Sequence, residues 1–73
     1  MQFPDGLLAV VKQDCPTCVL VDPVLAEMER RGLVLTVYVQ DEPDFPSALR
    51  VVDDTALEAS YRLQVETVPT LLR

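Results

Sequence analysis

Apolar residues occur along the chain in runs and spacings that predict strands and helices in alternation. The continuous apolar run Leu7–Val11 is typical of a strand that is buried on both faces of a sheet. From Cys15 or Pro16 the spacing becomes helical, and a basic pair followed by Gly32 marks the end of this helix. The β-branched run Leu33–Val39 predicts the next strand. Together these segments predict a βαβ unit with parallel strands and a right-handed crossover.

The first predicted helix has one apolar face, because four residues follow the i, i+3, i+4, i+7 spacing: Val21, Val24, Leu25 and Met28. Asp14 is a candidate N-cap, and Pro16 suits the first helical turn because no partner is needed there for its missing N–H. Pro23 lies inside the predicted helix, where a proline kinks the axis.

The segment Asp41–Asp54 has two prolines, five acids and no clear period, and it predicts a long loop with a short helical turn near residues 47–50. A solvated acidic loop is the preferred interpretation, ahead of a binding role.

A short second helix and a last strand are predicted after this loop. The sequence from Thr55 to Glu58 resembles a capping box, which starts a helix that runs to about Leu63. We expect Tyr61 on this helix to be a core residue. The apolar segment Val68–Leu72 then predicts the final strand.

Length and charge limit the range of functions. The 73 residues are enough for one domain, 1–73, of the α/β class, with an aliphatic core. The net charge of −6 and the lack of a basic run argue against binding to nucleic acids or anionic membranes. No basic leader and no apolar stretch of about 20 residues occur, so a cytoplasmic location is expected.

The motif Cys15-Pro16-Thr17-Cys18 carries the candidate chemistry. A cysteine at a helix N-terminus is stabilised as the thiolate by free N–H groups and the helix dipole, and the thiolate is the attacking species in disulfide exchange. We therefore expect Cys15 to be the nucleophile and Cys18, one turn later, to resolve the mixed disulfide. No cofactor is needed, because the dithiol itself carries the electrons.

Four features in chain order resemble the thioredoxin superfamily. They are the buried strand before Cys-x-x-Cys, Pro23 in the following helix, the strand after that helix, and the segment from Tyr61 to Leu72 with its Val68-Pro69-Thr70 sequence. The resemblance covers the chain from Leu7 to Arg73.

The resemblance implies a thioredoxin-like βαβ-α-β fold, with helices packed on a mixed sheet. It also implies a disulfide oxidoreductase that acts on a protein disulfide or a small thiol. It implies that Pro69 is cis and lies against the cysteines, and that the backbone of Val68 pairs with an extended substrate. Pro16 and Thr17, between the cysteines, would border the same groove.

The chain departs from the family pattern in three ways. Asp14 replaces an aromatic residue before the first cysteine, the preceding strand lacks a buried acid, and the C-terminal strand and helix of the full fold are not present. The missing elements would leave a sheet edge unpaired, so we expect either a longer parent chain or a homodimer through that edge.

Two alternative functions stay open. One is a thioredoxin-like binding or assembly module without useful turnover. The other is a dimer that shares a four-cysteine zinc site or an iron–sulfur cluster, because one chain alone offers two cysteines, no histidine and hence no complete metal site.

Overall fold

The computed structural model describes residues 2–73 and contains a four-stranded mixed sheet and two helices. The predicted α/β class is therefore confirmed, and only Met1, at the start of the domain predicted over residues 1–73, lies outside the described range. The elements in chain order are β1 (Leu7–Val11), α1 (Pro16–Arg30), β2 (Leu35–Val39), β3 (Val51–Asp53), α2 (Glu58–Arg62) and β4 (Thr70–Leu72).

The strand order across the sheet is β3-β2-β1-β4. β1 and β2 are parallel, as predicted, in a register that pairs Leu7 with Leu35 and Val11 with Val39. β3 is parallel to β2, whereas β4 is antiparallel to β1 with Ala9 opposite Leu71. This order puts β1 in the interior of the sheet and β4 at one edge.

Both faces of β1 are buried because successive side chains of a strand point to opposite faces. Ala9 and Val11 pack in a cluster with Leu25 of α1. Leu8 and Val10 pack on the other face in a cluster with Ala59 of α2. The continuous apolar run thus reflects a helix on each side of the sheet.

The turn before β1 requires glycine at position 6. Gly6 has φ of +98°, and a Cβ there would lie 2.7 Å from the carbonyl oxygen of Val34. The backbone N–H of the next residue, Leu7, donates to that same carbonyl at 2.9 Å. A side chain at position 6 would therefore disturb the start of the parallel pairing.

The first helix differs from the prediction at its cap and on one face. The N-cap is Cys15, not Asp14. The helix continues through Pro23 to Arg30, so the proline does not end it. Leu25 is buried, but Val24 is 56% exposed and so does not belong to the buried face that the spacing predicted.

The segment predicted as a long loop contains a strand. β3 forms there because the backbone of β2 still has free groups on its outer side, and the N–H of Val37 donates to the Arg50 carbonyl at 2.9 Å. No helical turn forms over residues 47–50. β2 itself begins at Leu35, two residues later than predicted, and both Leu33 and Val34 are about half exposed.

The second helix is capped by a residue other than the predicted one. The buried carboxylate of Asp54 accepts from the backbone N–H groups of Ala59 and Ser60, at 2.8 and 2.9 Å, whereas Thr55 caps nothing at this helix. α2 is short, and Tyr61 on its outer side is 86% exposed. The prediction that Tyr61 is a core residue was wrong.

An apolar groove of about 230 Å³ lies between α1 and the edge strand β4. Val24 and Leu71, each about half exposed, contribute to its lining together with Pro69. The outer edge of β4 pairs with no strand within residues 2–73. In the same part of the chain, no helix has the length and apolar character needed to cross a membrane.

Candidate functional site

The carboxyl ends of the parallel strands β1 and β2 meet the loop before β4 at an open cavity of about 430 Å³. Cys15 lies in its wall, close to the ends of both strands. The lining residues come from three segments of the chain: Lys12, Asp14, Cys15 and Pro16 after β1, Gln40 after β2, and Glu66, Thr67 and Val68 before β4.

Cys15 is the N-cap of α1. Its sulfur accepts a hydrogen bond from the helix backbone, as the side-chain oxygen of a serine or aspartate does at the start of other helices. Its backbone is extended, with φ of −158° and ψ of 106°. Its Sγ accepts a hydrogen bond from the backbone N–H of Cys18 at 3.2 Å. Pro16, which has no N–H to leave unpaired, takes the first helical position. A thiolate at Cys15 is therefore stabilised by this backbone donor and by the positive end of the helix dipole.

The loop before β4 reaches the same sulfur. The thiol of Cys15 donates to the backbone carbonyl oxygen of Val68, with Sγ and oxygen 3.8 Å apart. The peptide bond between Val68 and Pro69 is cis. Residues more than 50 positions apart in the sequence are thus in contact at the cavity.

The other two residues assigned to substrate binding do not line the cavity. Pro69 lines the apolar groove between α1 and β4, and Thr17 is exposed in the first turn of α1 without lining the cavity. Of the four residues, Pro16 and Val68 are the two that line the cavity with Cys15.

The pKa values of the two thiols are shifted in opposite directions. A hydrogen bond from the Cys18 thiol is the main cause that lowers the pKa of Cys15. Partial desolvation acts to raise this pKa. The backbone N–H groups of Cys18 and Thr17 and the charge of Lys12 also lower it. Burial is the main cause that raises the pKa of Cys18 to about 11, and its hydrogen bond to Cys15 adds to the rise. Both cysteines are free thiols in the structure. As the pH rises, Cys15 therefore ionises before Cys18, which keeps its proton.

Replacing Cys18 with alanine is expected to raise the pKa of Cys15, because the change removes the donor that lowers that pKa most. The rate of Cys15 alkylation by iodoacetamide, measured against pH, should then reach its midpoint at higher pH than in the wild-type protein. Cys18→Ser should shift the midpoint less, because a serine hydroxyl can still donate.

The exposed residue Leu20 on the same helix supplies a control, since Leu20→Ala removes a side chain that is 75% exposed. We expect its alkylation profile to match that of the wild type. An unchanged profile in Cys18→Ala would contradict the assignment of the Cys18 thiol as the group that stabilises the Cys15 thiolate.

Asp41 holds the segment that leads into Cys15. One carboxylate oxygen accepts from the backbone N–H of Gln13 at 2.7 Å and the other from that of Asp14 at 3.0 Å. The N–H of Glu42 is a third donor, also at 2.7 Å. Although desolvation acts in the opposite direction, these three donors lower the pKa of Asp41. The carboxylate thus ties the end of β2 to the residues before the cysteine.

Replacing Asp41 with alanine is expected to lower the free energy of unfolding by about 1 kcal/mol, because three N–H groups lose a charged acceptor at an exposed site where water replaces it in part. Chemical denaturation measures this loss of stability.

Asp44→Ala, at an exposed acid in the same loop, removes the same charge as a control. Equal effects from the two substitutions would contradict the role assigned to Asp41.

A buried hydrogen-bond chain links α2 to the cavity. The hydroxyl of Ser60 donates to Asp54 at 2.7 Å and accepts from the side-chain amide of Gln40 at 2.8 Å. Gln40 in turn lines the cavity, so its amide is oriented by groups that lie in the protein interior. Sequence reasoning missed Gln40, Lys12 and Asp41. Gln40 and Lys12 directly follow parallel strands, and the carboxyl ends of such strands are where α/β sheets place their sites.

Comparisons with known proteins identify no relative: no protein-family model, curated protein or solved structure matches the chain. Within residues 2–73, no group of three or more histidine, cysteine or acidic side chains is arranged to hold a metal ion. The arguments on function therefore depend on the site itself.

Proposed function

We propose that this chain is a thioredoxin-like thiol–disulfide oxidoreductase that uses Cys15 as the nucleophile and Cys18 as the resolving thiol. The observation that carries the proposal is the position of Cys15 Sγ at the start of α1, 3.2 Å from the N–H of Cys18 and 3.8 Å from the carbonyl oxygen of Val68. This arrangement combines an accessible sulfur whose pKa is lowered with a protonated, buried partner one helical turn away.

The reaction begins when the Cys15 thiolate attacks one sulfur of a substrate disulfide. A Cys15–substrate mixed disulfide forms, and the other half leaves as a thiolate that takes up a proton. Cys18 then loses its proton and attacks Cys15 Sγ, which closes the Cys15–Cys18 disulfide and releases the second substrate thiol. The substrate disulfide gains two electrons and the protein dithiol loses them, so no cofactor is required.

The carbonyl of Val68 supports a binding role for that residue. It accepts from the Cys15 thiol in the resting protein, and ionisation of Cys15 removes that donor. The carbonyl then becomes free for the backbone N–H of an extended substrate beside the sulfur, in the manner of strand addition. Pro16, in the cavity wall, would contact the same substrate, and its neighbour Thr17 and the Val68 neighbour Pro69 would border it.

Turnover of a protein disulfide tests the proposal. Catalytic amounts of the protein should accelerate the reduction of insulin by dithiothreitol well above the uncatalysed rate. An inactive wild-type protein that is folded, by circular dichroism, would contradict the proposed enzyme. Metal analysis of protein that is purified under reducing conditions tests the shared zinc or iron–sulfur dimer, which requires metal at one site per two chains.

A binding or assembly module is the second candidate, and the groove beside β4 favours it. The groove is apolar, and it adjoins a strand edge that pairs with no strand within residues 2–73, which is a surface suited to a second copy of the chain or to another protein. Sedimentation velocity of the wild-type protein distinguishes a monomer from a homodimer through this edge. We propose a cytoplasmic location for either function, where the cysteines rest as thiols.

A further inference from the structure

Charged side chains of both signs lie around the Cys15 cavity, and acids outnumber bases. Among residues 2–73, Asp14 and Glu66 are acids in its lining, and Lys12 is the one base there. Asp41 adds a third carboxylate next to the cavity, because it is bonded to the backbone of Asp14. The whole chain carries a net charge of −6, so its overall charge adds to the local excess.

Lys12 does not offset these acids when the site is ready to react. Its charge is close enough to the sulfur to contribute to the lowered pKa of Cys15. Once Cys15 is a thiolate, the negative charge of the sulfur offsets the lysine charge. The electrostatic potential that acts on an approaching disulfide is then set by the carboxylates of Asp14, Glu66 and Asp41.

Hydrogen bonding fixes part of this charge. Both oxygens of Asp41 accept from backbone N–H groups, and the resulting low pKa keeps this carboxylate ionised throughout the neutral range. Asp14 and Glu66 are exposed at the cavity rim. Exposed charges act at distances within the Debye length, about 10 Å at 0.1 M salt and about 3 Å at 1 M, so salt should suppress their effect.

We propose that this site selects disulfides whose substituents carry positive charge, such as a disulfide within a basic peptide segment, over anionic disulfides such as oxidised glutathione. The proposal rests on the oxidoreductase function proposed above and names its substrate class. Attraction of a cation to the rim raises the local concentration of substrate and the rate of encounter, and repulsion of an anion lowers both.

Single-turnover kinetics with three small disulfides of different charge test this selection. Reduced protein is mixed with cystamine, which is cationic, bis(2-hydroxyethyl) disulfide, which is neutral, or oxidised glutathione, which is anionic. The products are the Cys15–Cys18 disulfide and two small thiols, so electrons and protons balance without a further reductant. Each rate is divided by the rate of the same disulfide with dithiothreitol, a neutral dithiol, which removes differences in intrinsic reactivity.

At low ionic strength we expect the normalised rate to fall in the order cystamine, hydroxyethyl disulfide, glutathione. The two extremes should differ by about fivefold or more, which is the factor for one pair of unit charges about 4 Å apart in water. The difference should shrink towards one in 1 M salt, a concentration at which the Debye length is about 3 Å.

Variants of the charged residues identify which charges cause this order of normalised rates. Glu66→Gln and Asp14→Asn keep the shape of each side chain and should each reduce the cystamine-to-glutathione ratio, and Glu66→Lys should reduce it further. Asp5→Asn makes the same change in net charge at the opposite end of β1, a strand about 17 Å long, and should leave the ratio unchanged.

Three results would overturn the selection by charge: equal normalised rates at low salt, a preference for glutathione, or an equal effect of Asp5→Asn and Glu66→Gln. Each of these still leaves a working oxidoreductase. A protein that reacts with none of the three disulfides would overturn the proposed function as well, so the two failures are distinguishable.

Discussion

Replacing Cys15 with serine is expected to abolish the reduction of protein disulfides, with a loss of at least about a thousandfold in rate. A serine hydroxyl does not ionise near neutral pH, and its oxygen cannot form the mixed disulfide on which both steps depend. The measurement is the rate of insulin reduction by dithiothreitol at equal concentrations of variant and wild-type protein. The fold should persist, because serine is also a favoured N-cap residue and can accept from the N–H of Cys18.

Cys18→Ser supplies the matched comparison, because it leaves the attacking thiol in place and removes the resolving one. It should react once with a disulfide and stop as a mixed disulfide on Cys15, which intact-mass spectrometry detects. The two variants thus fail at different steps, since Cys15→Ser forms no adduct at the start of α1. Substantial turnover by Cys15→Ser, or an adduct that maps to Cys18 in the wild type, would contradict the assigned roles.

Replacing Leu35 with alanine is expected to lower the free energy of unfolding by about 2–5 kcal/mol. Leu35 is 1% exposed and is among the largest fully buried side chains, in the cluster between the sheet and α1. A domain of this size has a total stability near the lower end of about 5–15 kcal/mol, so the variant should be close to unfolding at room temperature. Urea denaturation followed by circular dichroism measures the change.

Leu49→Ala makes the same chemical change at a residue that is 89% exposed, and should alter the stability by no more than about 0.5 kcal/mol. Similar losses in both variants would contradict the placement of the core between β2 and α1. If Leu35→Ala does not fold, Leu35→Val removes less volume and should still show a loss of about 1 kcal/mol, because it leaves a smaller cavity.

The parts of the fold that the sequence predicted are those in which many residues contribute one consistent signal. The apolar run of β1 and the helical spacing after Cys15 identified the central βαβ unit, and the parallel pairing of β1 with β2 followed from it. The candidate site was predicted in part for the same reason, because Cys15 was expected at a helix start and is the N-cap there. That the Val68-Pro69 segment comes close to the cysteines was implied by the resemblance alone, since nothing in the spacing of the sequence joins residues so far apart.

The elements that were missed depend on contacts between distant segments. β3 has only three residues, and Val52 is partly exposed, so no period of apolar residues marks it. It forms because the free edge of β2 supplies hydrogen-bond partners. The cap of α2 was assigned to Thr55 from a local motif, whereas the buried Asp54 carboxylate takes the N–H groups. Tyr61 was assigned to the core because a short helix does not reveal which of its sides faces the sheet.

The residues around Cys15 were also predicted only in part, because some of them come from distant segments of the chain. The sequence motif identified the two sulfurs, but it gave no sign that Asp41 binds the segment before them. The motif did not indicate Gln40 either, because the orientation of its side chain depends on a hydrogen bond to Ser60, which lies 20 residues further along the chain. The residues of a compact motif can be identified from sequence, whereas the neighbours that distant segments bring to the cavity require the tertiary structure.

Mixing the reduced wild-type protein with one equivalent of a small disulfide at neutral pH, then measuring its intact mass and free thiols, tests the central claim most directly. We expect the chain to lose two hydrogen atoms and gain no adduct, as Cys15 and Cys18 close into a disulfide and two small thiols are released. A chain that keeps both thiols free, or that stops as a stable adduct, would contradict the claim that these cysteines form one redox centre.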